Sequence, residues 1–270
     1  MKEEQEQVVL VTGASSGIGA CCAEYLSERG CWVYGASRSA TAAPGVVPLA
    51  MDVTNDASVS QAIAAILARE GRLDVLVNNA GFGIAGAVED TSVEEAVGQF
   101  EVNFFGTFRV CRAVLPMLRQ QGAGYIVNIG SIGGLIAIPY QGFYSASKFA
   151  LEGLSESLRL EVRPFGIHVV LIEPGDHRTS FTQNRRSTEA SARGSVYRDR
   201  FERALARMVS DEQGGPAPDG IARLLYKVIN QPNPRLRYTV GPAAQRAAVW
   251  LKRFLPNAVV EKIVRGYYAR

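Results

Sequence analysis

Apolar positions along the first third of the chain alternate between two patterns. Short apolar runs rich in β-branched residues predict strands, and segments with apolar residues three and four positions apart predict helices. The predicted strands are 8–12, 31–36, 46–50 and 73–77, and the predicted helices are 18–29, which Gly30 ends, and 58–69. Because strands that alternate with helices are typical of parallel sheets covered on both faces, we expect an α/β fold.

The same alternation continues to Pro174, where the pattern changes. The predicted elements up to this point are a helix over 94–119 with a break near Asn103, a strand over 125–129, a helix over 144–162 and a strand over 168–172. Polar residues dominate 176–218, apart from a helix predicted over 197–209, so we expect an insertion that covers a cleft.

The alternation resumes after this insertion. A helix over 221–230, a strand over 237–240 and one or two amphipathic helices over 243–268, around Pro256, complete the predicted elements. Connections before Pro174 are short and no linker interrupts the pattern, so we expect a single domain over 1–270.

Composition and charge exclude several classes of protein. The sum of Lys and Arg is 29 against 26 Asp and Glu, and this net charge of +3 is too small and too scattered to predict nucleic-acid binding. No apolar run is long enough to predict a membrane span, and no N-terminal signal is visible. The four cysteines have no metal-ligand spacing, so we expect no metal site and a reduced protein in the cytoplasm.

A Gly-rich turn joins the first strand to the first helix. Gly13, Gly17 and Gly19 allow a close backbone approach, and the helix N-terminus offers free N–H groups and positive dipole to a pyrophosphate. A tight strand-to-helix turn without any ligand is the alternative explanation. In this structural context, the turn indicates a dinucleotide site.

The end of the second strand bears on which dinucleotide is bound. An acidic residue there would bond the adenosine ribose and repel a 2′-phosphate, whereas this chain has Ser37 and Arg38. We therefore expect NADP(H) rather than NAD(H). The alternative is that Arg38 is a solvated loop residue.

Three side chains indicate acid–base chemistry. Tyr144 and Lys148 are four positions apart on a predicted helix and share one face, so the ammonium is expected to lower the pKa of the phenol. Ser131 follows a strand at its carboxyl end, where its hydroxyl could hold a substrate oxygen. Taken singly, each of these is more often a surface or capping residue.

Together with other motifs, these residues resemble the short-chain dehydrogenase/reductase family. The motifs are Thr12 to Gly19, Asn78-Asn79-Ala80-Gly81, Asn103, Ser131, Tyr144-x-x-x-Lys148 and Pro174-Gly175, in that order. They span about residues 8 to 180. The resemblance implies a Rossmann-type, doubly wound, seven-stranded parallel sheet.

The resemblance also implies roles for individual residues. Tyr144 would be the general acid/base, Lys148 would lower its pKa and grip the nicotinamide ribose, and Ser131 would polarise the substrate oxygen. Asn103 would hold a water that passes protons to Lys148. The residues implied around the cofactor are Gly13, Ser15, Ser16, Gly17, Ile18, Gly19, Ser37, Arg38, Asp52, Val53, Asn79, Ala80, Gly81, Pro174, Gly175 and Thr179.

The segment 130–156 is most similar to the branch that contains 17β-hydroxysteroid and retinol dehydrogenases, which implies a bulky apolar alcohol or ketone as substrate. One departure follows Pro174-Gly175, where Asp176, His177 and Arg178 precede Thr179 and the family usually has an apolar residue. Two interpretations of His177 stay open, a side chain at the substrate entrance and, the favoured one, a solvated loop residue.

The C-terminal segment 243–268 is amphipathic and basic. The favoured interpretation is a helix folded onto its own domain. Three alternatives stay open: the segment closes the substrate pocket, contacts a partner subunit in a homodimer or homotetramer, or contacts a membrane surface. For the whole chain, the alternatives to an enzyme of this family are an NADP-binding redox sensor without turnover and an extended-type epimerase or dehydratase. The latter expects a longer C-terminal substrate domain than this chain has.

Overall fold

The computed structural model describes residues 6–268 and contains a central parallel sheet, as predicted. Nine strands are present in this part of the chain: β1 (Val8–Thr12), β2 (Trp32–Ser37), β3 (Val47–Ala50), β4 (Val75–Asn78), β5 (Ile84–Ala85), β6 (Gly124–Ile129), β7 (Ile167–Pro174), β8 (Arg186–Ser187) and β9 (Arg237–Val240). Seven of them form one sheet in the order β3-β2-β1-β4-β6-β7-β9, with every neighbouring pair parallel. The predicted seven-stranded, doubly wound α/β fold is confirmed.

Helices cover both faces of this sheet. They are α1 (Gly17–Ser27), α2 (Asp56–Glu70), α3 (Val93–Phe100), α4 (Thr107–Gln121), α5 (Gly142–Val162), α6 (Phe181–Asn184), α7 (Glu189–Ala192), α8 (Arg198–Gly214), α9 (Asp219–Ile229), α10 (Ala243–Lys252) and α11 (Asn257–Tyr268). Leu10 of β1 is buried in a core with α2, α4 and α5, and its neighbours Val9 and Val11 are buried in a second core with α1 and α9. The side chains of successive strand residues therefore point to opposite faces of the sheet, as the pleat of a β-strand requires.

The break predicted near Asn103 is a change of helix type. The turn Glu101–Gly106 between α3 and α4 is π-helical. A π-helical turn inserts an extra residue per turn and is found mostly at functional sites. Here it places the Asn103 side chain inside the protein, where it is buried.

The predicted insertion forms several short elements between β7 and α9. The helix predicted over 197–209 is α8, and it extends to Gly214. The sequence pattern did not predict four of the short elements. These are the helices α6 and α7 and the two strands β5 and β8, which pair in parallel. Elements of two to four residues are too short to show a hydrophobic period, so the sequence pattern could not identify them.

The C-terminal segment forms two helices, α10 and α11, on either side of Pro256. Val249 is buried and Gln245, Lys252, Val260 and Val264 are half-buried, which marks one side of each helix as the side that packs on the protein. None of the helices described over residues 6–268 is long and apolar enough to cross a bilayer. A cluster of metal-ligating side chains is likewise absent from residues 6–268.

Candidate active site

The predicted site residues lie where parallel strands end at the carboxyl edge of the sheet. Thr12 ends β1, Ser37 ends β2, Asn78 ends β4 and Pro174 ends β7, while Ser131 comes two residues after β6. Strand order reverses between β1 and β4, and ligands of open α/β sheets bind in the crevice at such a switch point. The topology thus brings the predicted cofactor and catalytic residues to one edge.

The Gly-rich turn between β1 and α1 approaches its neighbours too closely for side chains. Gly13 has a φ of 66°, and a Cβ there would lie 2.8 Å from the Ala80 Cα. A Cβ at Gly19 would lie 2.3 Å from the Gly13 carbonyl oxygen. Ser16, the N-cap residue of α1, makes no side-chain cap, so the first N–H groups of the helix are left for another acceptor. This cradle fits a pyrophosphate.

The turn is held in place by the segment after β4. The Thr12 hydroxyl accepts hydrogen bonds from the backbone N–H groups of Asn79 and Ala80, both at 3.0 Å. In return, the Asn79 side-chain amide donates to the carbonyls of Thr12 and Gly13 at 3.0 and 3.1 Å. These four bonds fix the floor of the candidate cofactor site before any ligand is bound.

The candidate adenosine end lies beyond β2. Ser37 is buried and its hydroxyl bonds to the Thr41 backbone, whereas Arg38 is exposed. Hydrogen bonds from Thr54 hold the pKa of Asp52 below its usual value, and the Arg38 charge contributes to the same shift. Arg38 therefore lies within electrostatic reach of Asp52, at the edge where an adenosine phosphate would sit.

Ser131 and Tyr144 face each other across Gly133. The Gly133 N–H donates to the Ser131 hydroxyl at 3.0 Å, and a Cβ on Gly133 would lie 3.2 Å from both the Ser131 Oγ and the Tyr144 ring. A side-chain hydrogen bond also joins Ser131 to Tyr144. Two hydroxyls therefore converge on one point, as the polarisation of a single substrate oxygen requires.

The environment of Tyr144 differs from the expected one. Burial raises the pKa of Tyr144 to about 12, although the hydrogen bond with Ser131 opposes this change. Desolvation of the phenolate outweighs this hydrogen bond, and the lowering of the pKa by Lys148 stays a prediction. The phenol is therefore protonated at neutral pH, which is the form that donates a proton to a carbonyl.

Lys148 lies one helical turn beyond Tyr144 and is buried. Its Nζ donates to the Ile129 carbonyl at 2.8 Å and lies 6.0 Å from the centre of the Tyr144 ring. Burial lowers the pKa of Lys148 to about 8, and the charge of Glu152 opposes this shift. An ammonium with a pKa so close to neutrality can take part in proton transfer.

Asn103 connects the loop after β4 with α5. Its amide oxygen accepts from the Phe82 N–H at 3.1 Å, and its amide nitrogen donates to the Phe82 carbonyl at 3.0 Å and to the Ser147 hydroxyl at 3.1 Å. Both amide protons are thus used by the protein. The structure places Asn103 beside the residue that precedes Lys148, and its predicted role as a water ligand stays a prediction.

The segment after β7 crosses above the Gly-rich turn. A Cβ on Gly17 would lie 3.6 Å from the Thr179 Cβ and 3.2 Å from the Ser180 hydroxyl, so this segment and the turn face each other. Gly175 follows the last residue of β7, and its N–H donates to the Val240 carbonyl at 2.8 Å. Residues from both sides of the switch point could therefore enclose a cofactor.

His177 is not a solvated loop residue. It is buried, and its Nδ1 lies 2.9 Å from the Gly175 carbonyl. It packs against Gly215 and Gly241, where an added Cβ would lie 3.1 Å from the His177 Cα and 3.3 Å from its ring. The favoured interpretation of this residue was wrong because the C-terminal elements fold over the segment.

Residues of the insertion that sequence analysis missed surround Tyr144. The Phe181 ring lies 5.6 Å from the Tyr144 ring, and the Arg185 guanidinium lies 5.5 Å from the Phe181 ring. Arg185 is paired with Glu212, and both side chains are buried. Their separation in sequence left no motif that could have identified them.

Acidic groups are also within electrostatic reach of Tyr144. The charges of Glu212 and Asp176 raise its pKa, and that of Arg185 lowers it. Burial raises the pKa of Asp176 to about 6, while hydrogen bonding to Gln245 opposes this shift. At neutral pH the Asp176 carboxyl is therefore mostly ionised, and the Tyr144 phenol has negative charge beside it.

Comparison with known proteins finds close similarity. Residues 7–190 match the family model described as short chain dehydrogenase. The chain is 47% identical over 266 residues to a 3-ketodihydrosphingosine reductase of Bacteroides thetaiotaomicron, with 98% of this chain and 99% of that protein covered. It is 34% identical over 252 residues to human 17-beta-hydroxysteroid dehydrogenase type 1, with 86% and 76% covered.

A solved structure with a bound cofactor is also similar. It is a short-chain dehydrogenase/reductase from Burkholderia phymatum in complex with NAD, which is 28% identical and has a TM-score of 0.78. The similarity covers 94% of this chain and 95% of that one. These matches agree with the resemblance found in the sequence motifs.

Proposed function

The chain belongs to the short-chain dehydrogenase/reductase family of NAD(P)-dependent oxidoreductases, and we propose that it uses NADP(H) to reduce a long-chain 3-keto amine of the 3-ketodihydrosphingosine type. The observation that carries this proposal is the 47% identity to a reductase of that substrate along nearly the whole length of both chains. The substrate class shares a bulky apolar character with the steroid- or retinoid-like substrate expected from the sequence. Its reacting carbon is a ketone beside an amine.

The proposed chemistry uses Tyr144, Ser131 and Lys148. When bound, a nicotinamide supplies the hydride that reduces the carbonyl carbon. Ser131 donates a hydrogen bond to the carbonyl oxygen, and Tyr144 transfers its proton to that oxygen as charge develops there. Lys148 holds the ribose and stabilises the phenolate, while Asn103 holds a water that returns a proton to Lys148.

The acidic groups beside Tyr144 support an amino ketone as substrate. An ammonium one carbon from the ketone would lie within a few ångströms of the proton-donating phenol. Asp176 and Glu212 place negative charge in this neighbourhood, and Glu212 is already paired with Arg185. We therefore assign Asp176 to the substrate ammonium.

Two features support NADP(H) over NAD(H). The carboxyl end of β2 has Ser37 and Arg38 instead of an acidic residue, and Arg38 is exposed at this edge. A guanidinium matches the geometry and the charge of a 2′-phosphate.

We also propose a homodimer or homotetramer in the cytoplasm. Phe105, Phe108 and Leu160 are exposed on the π-helical turn, α4 and α5. An apolar groove of about 250 Å³ beside them is lined by Phe108, Leu115 and Leu158, among others. A second copy could cover this apolar face by symmetric pairing. The four free cysteines support a reducing compartment.

The substrate assignment is tested with two ketones that share one alkyl chain. NADPH oxidation is followed with 3-ketodihydrosphingosine and with the corresponding ketone that lacks the amine. We expect wild-type protein to prefer the amino ketone. Asp176→Asn should raise KM for the amino ketone by about tenfold, a typical loss for one charge-assisted hydrogen bond, and leave KM for the plain ketone unchanged.

Tyr144→Phe is the control for the chemistry. It should bind NADPH as the wild type does, seen in cofactor fluorescence, and lower kcat for both ketones by at least about a hundredfold because the proton donor is missing. Undiminished turnover would exclude Tyr144 as the acid. An absence of wild-type turnover on the amino ketone would reject the substrate.

A further inference from the structure

The outward side of the C-terminal helices is apolar and basic, and it is exposed to solvent. Trp250, Phe254 and Ile263 are 59%, 69% and 57% exposed, and Leu251 and Val259 are more than 40% exposed. Trp250 and Phe254 form an exposed aromatic pair with ring centres 4.9 Å apart. Large exposed apolar side chains on adjoining turns mark a binding surface.

This surface also holds a concentration of positive charge. Segment 243–268 has five cations and one anion, Glu261. The net charge of this segment is therefore larger than the +3 of the whole chain. Four of the cations are exposed beside the apolar residues: Arg246, Arg253, Lys262 and Arg265. Apolar and aromatic residues flanked by Lys and Arg are typical of helices that lie in the interface of a membrane.

The surface adjoins the candidate active site. Lys252 of α10 donates to the carbonyl of Leu135, four residues after Ser131, and lies 5.4 Å from the centre of the Phe149 ring, next to Lys148 in the chain. Gln245 of the same helix bonds Asp176. The helices therefore connect the outward surface directly with the residues around Tyr144.

We propose that the outer face of α10 and α11, formed by Arg246, Trp250, Arg253, Phe254, Lys262 and Ile263, docks the protein on an anionic phospholipid bilayer. The inference deepens the proposed function and rests on it in one respect, because a long-chain keto amine would reside in that bilayer. Each Lys or Arg near an anionic surface adds electrostatic attraction. The aromatic and apolar side chains add burial in the headgroup region.

A second copy of the chain is the other candidate partner, and charge argues against it. In a twofold symmetric pair, each outer face would meet the same face of its partner. The four exposed cations of one copy would then oppose the same four of the other, with only Glu261 as an anion on each side. An anionic lipid surface offers charge of the opposite sign instead.

The test is sedimentation with vesicles, in the absence of substrate. Wild-type protein should bind vesicles of phosphatidylcholine and phosphatidylglycerol, bind pure phosphatidylcholine vesicles much less, and be released by high salt. The double variant Trp250→Ser, Phe254→Ser should lose at least about tenfold in affinity for anionic vesicles. Val196→Ser, at a 91% exposed apolar position of the insertion, is the matched control and should bind as the wild type does.

Activity separates this inference from the proposed function. The double variant should reduce a water-soluble ketone as the wild type does, but lose turnover of a long-chain substrate embedded in anionic vesicles. Vesicle binding without any reduction of the amino ketone would reject the proposed substrate and keep the docking surface. Wild-type protein that ignores anionic vesicles, or a double variant that still binds them, overturns the docking surface. The docking surface is also overturned if the double variant changes from dimer to monomer and otherwise behaves as the wild type does.

Discussion

Arg38 illustrates how much cofactor preference can depend on a single side chain. It is exposed at the end of β2, and its charge contributes to the lowered pKa of Asp52. A guanidinium in this position can form a charge-assisted pair with the 2′-phosphate of NADP(H). The ribose hydroxyl of NAD(H) offers only a weaker interaction.

We predict that Arg38→Ala raises KM for NADPH by about tenfold and leaves KM for NADH nearly unchanged, since an exposed charge contact is weakened by solvent. Initial rates with both cofactors measure this difference. Arg69→Ala is the matched control, because Arg69 is exposed near the end of α2, at the opposite edge of the sheet. Equal effects on the two cofactors would remove Arg38 from the proposed role.

Contacts between elements at the carboxyl edge include a buried pair of acids. Glu152 of α5 and Glu173 of β7 are both buried, and Arg237 of β9 lies between them, 2.7 Å from a Glu152 oxygen and 3.4 Å from a Glu173 oxygen. Burial and, after it, the charge of the neighbouring Glu152 raise the pKa of Glu173 to about 7. One cation is shared by two desolvated carboxyls.

This pair makes the stability of the fold depend on pH. The pKa of Glu173 is higher in the folded protein than in the unfolded chain, where it is about 4.3. Its contribution to stability is therefore fully present below pH 4, and is lost as the pH rises through 7.

We predict that the stability of Glu173→Gln increases relative to that of the wild type as the pH rises. The Tm difference between the two proteins should shift in favour of the variant by on the order of 5 °C between pH 5 and pH 8. Thermal unfolding at both pH values measures it. Glu156→Gln, which removes a more exposed carboxylate that also pairs with Arg237, should show a much smaller change. A constant difference for Glu173→Gln would contradict the assigned shift.

At the scale of the whole molecule, the structure has two exposed apolar faces of different character. The outer face of α10 and α11 is basic, whereas the face on α4 and α5 has Phe105 and Phe108, each more than 40% exposed, beside an apolar groove. The first suits an anionic surface, whereas the second suits a copy of itself, because symmetric pairing would bury its apolar side chains on both partners.

We predict that the wild-type protein sediments as a dimer or tetramer and that Phe108→Glu shifts it toward monomer, because the new charges would oppose each other across the symmetric contact. Sedimentation velocity measures the change. Val196→Glu places the same charge at an exposed apolar position of the insertion and should leave the assembly intact. A monomeric wild type would reject the proposed interface.

Sequence alone determined the fold class and supplied the candidate site residues. Alternating apolar runs and helical periods predicted all seven strands of the main sheet, because a strand buried on both faces needs a continuous apolar run. The motifs around Gly13, Ser131, Tyr144 and Lys148 could be identified because their chemistry depends on local spacing within a turn or along one helix.

Tertiary structure decided what depends on packing between distant segments. Burial raises the pKa of Tyr144, and His177 is covered instead of solvated. Phe181, Arg185 and Glu212 come together around Tyr144 from an insertion with no periodic pattern. Desolvation and the encounter of side chains far apart in sequence depend on how the whole chain folds, and local spacing contains no information about either.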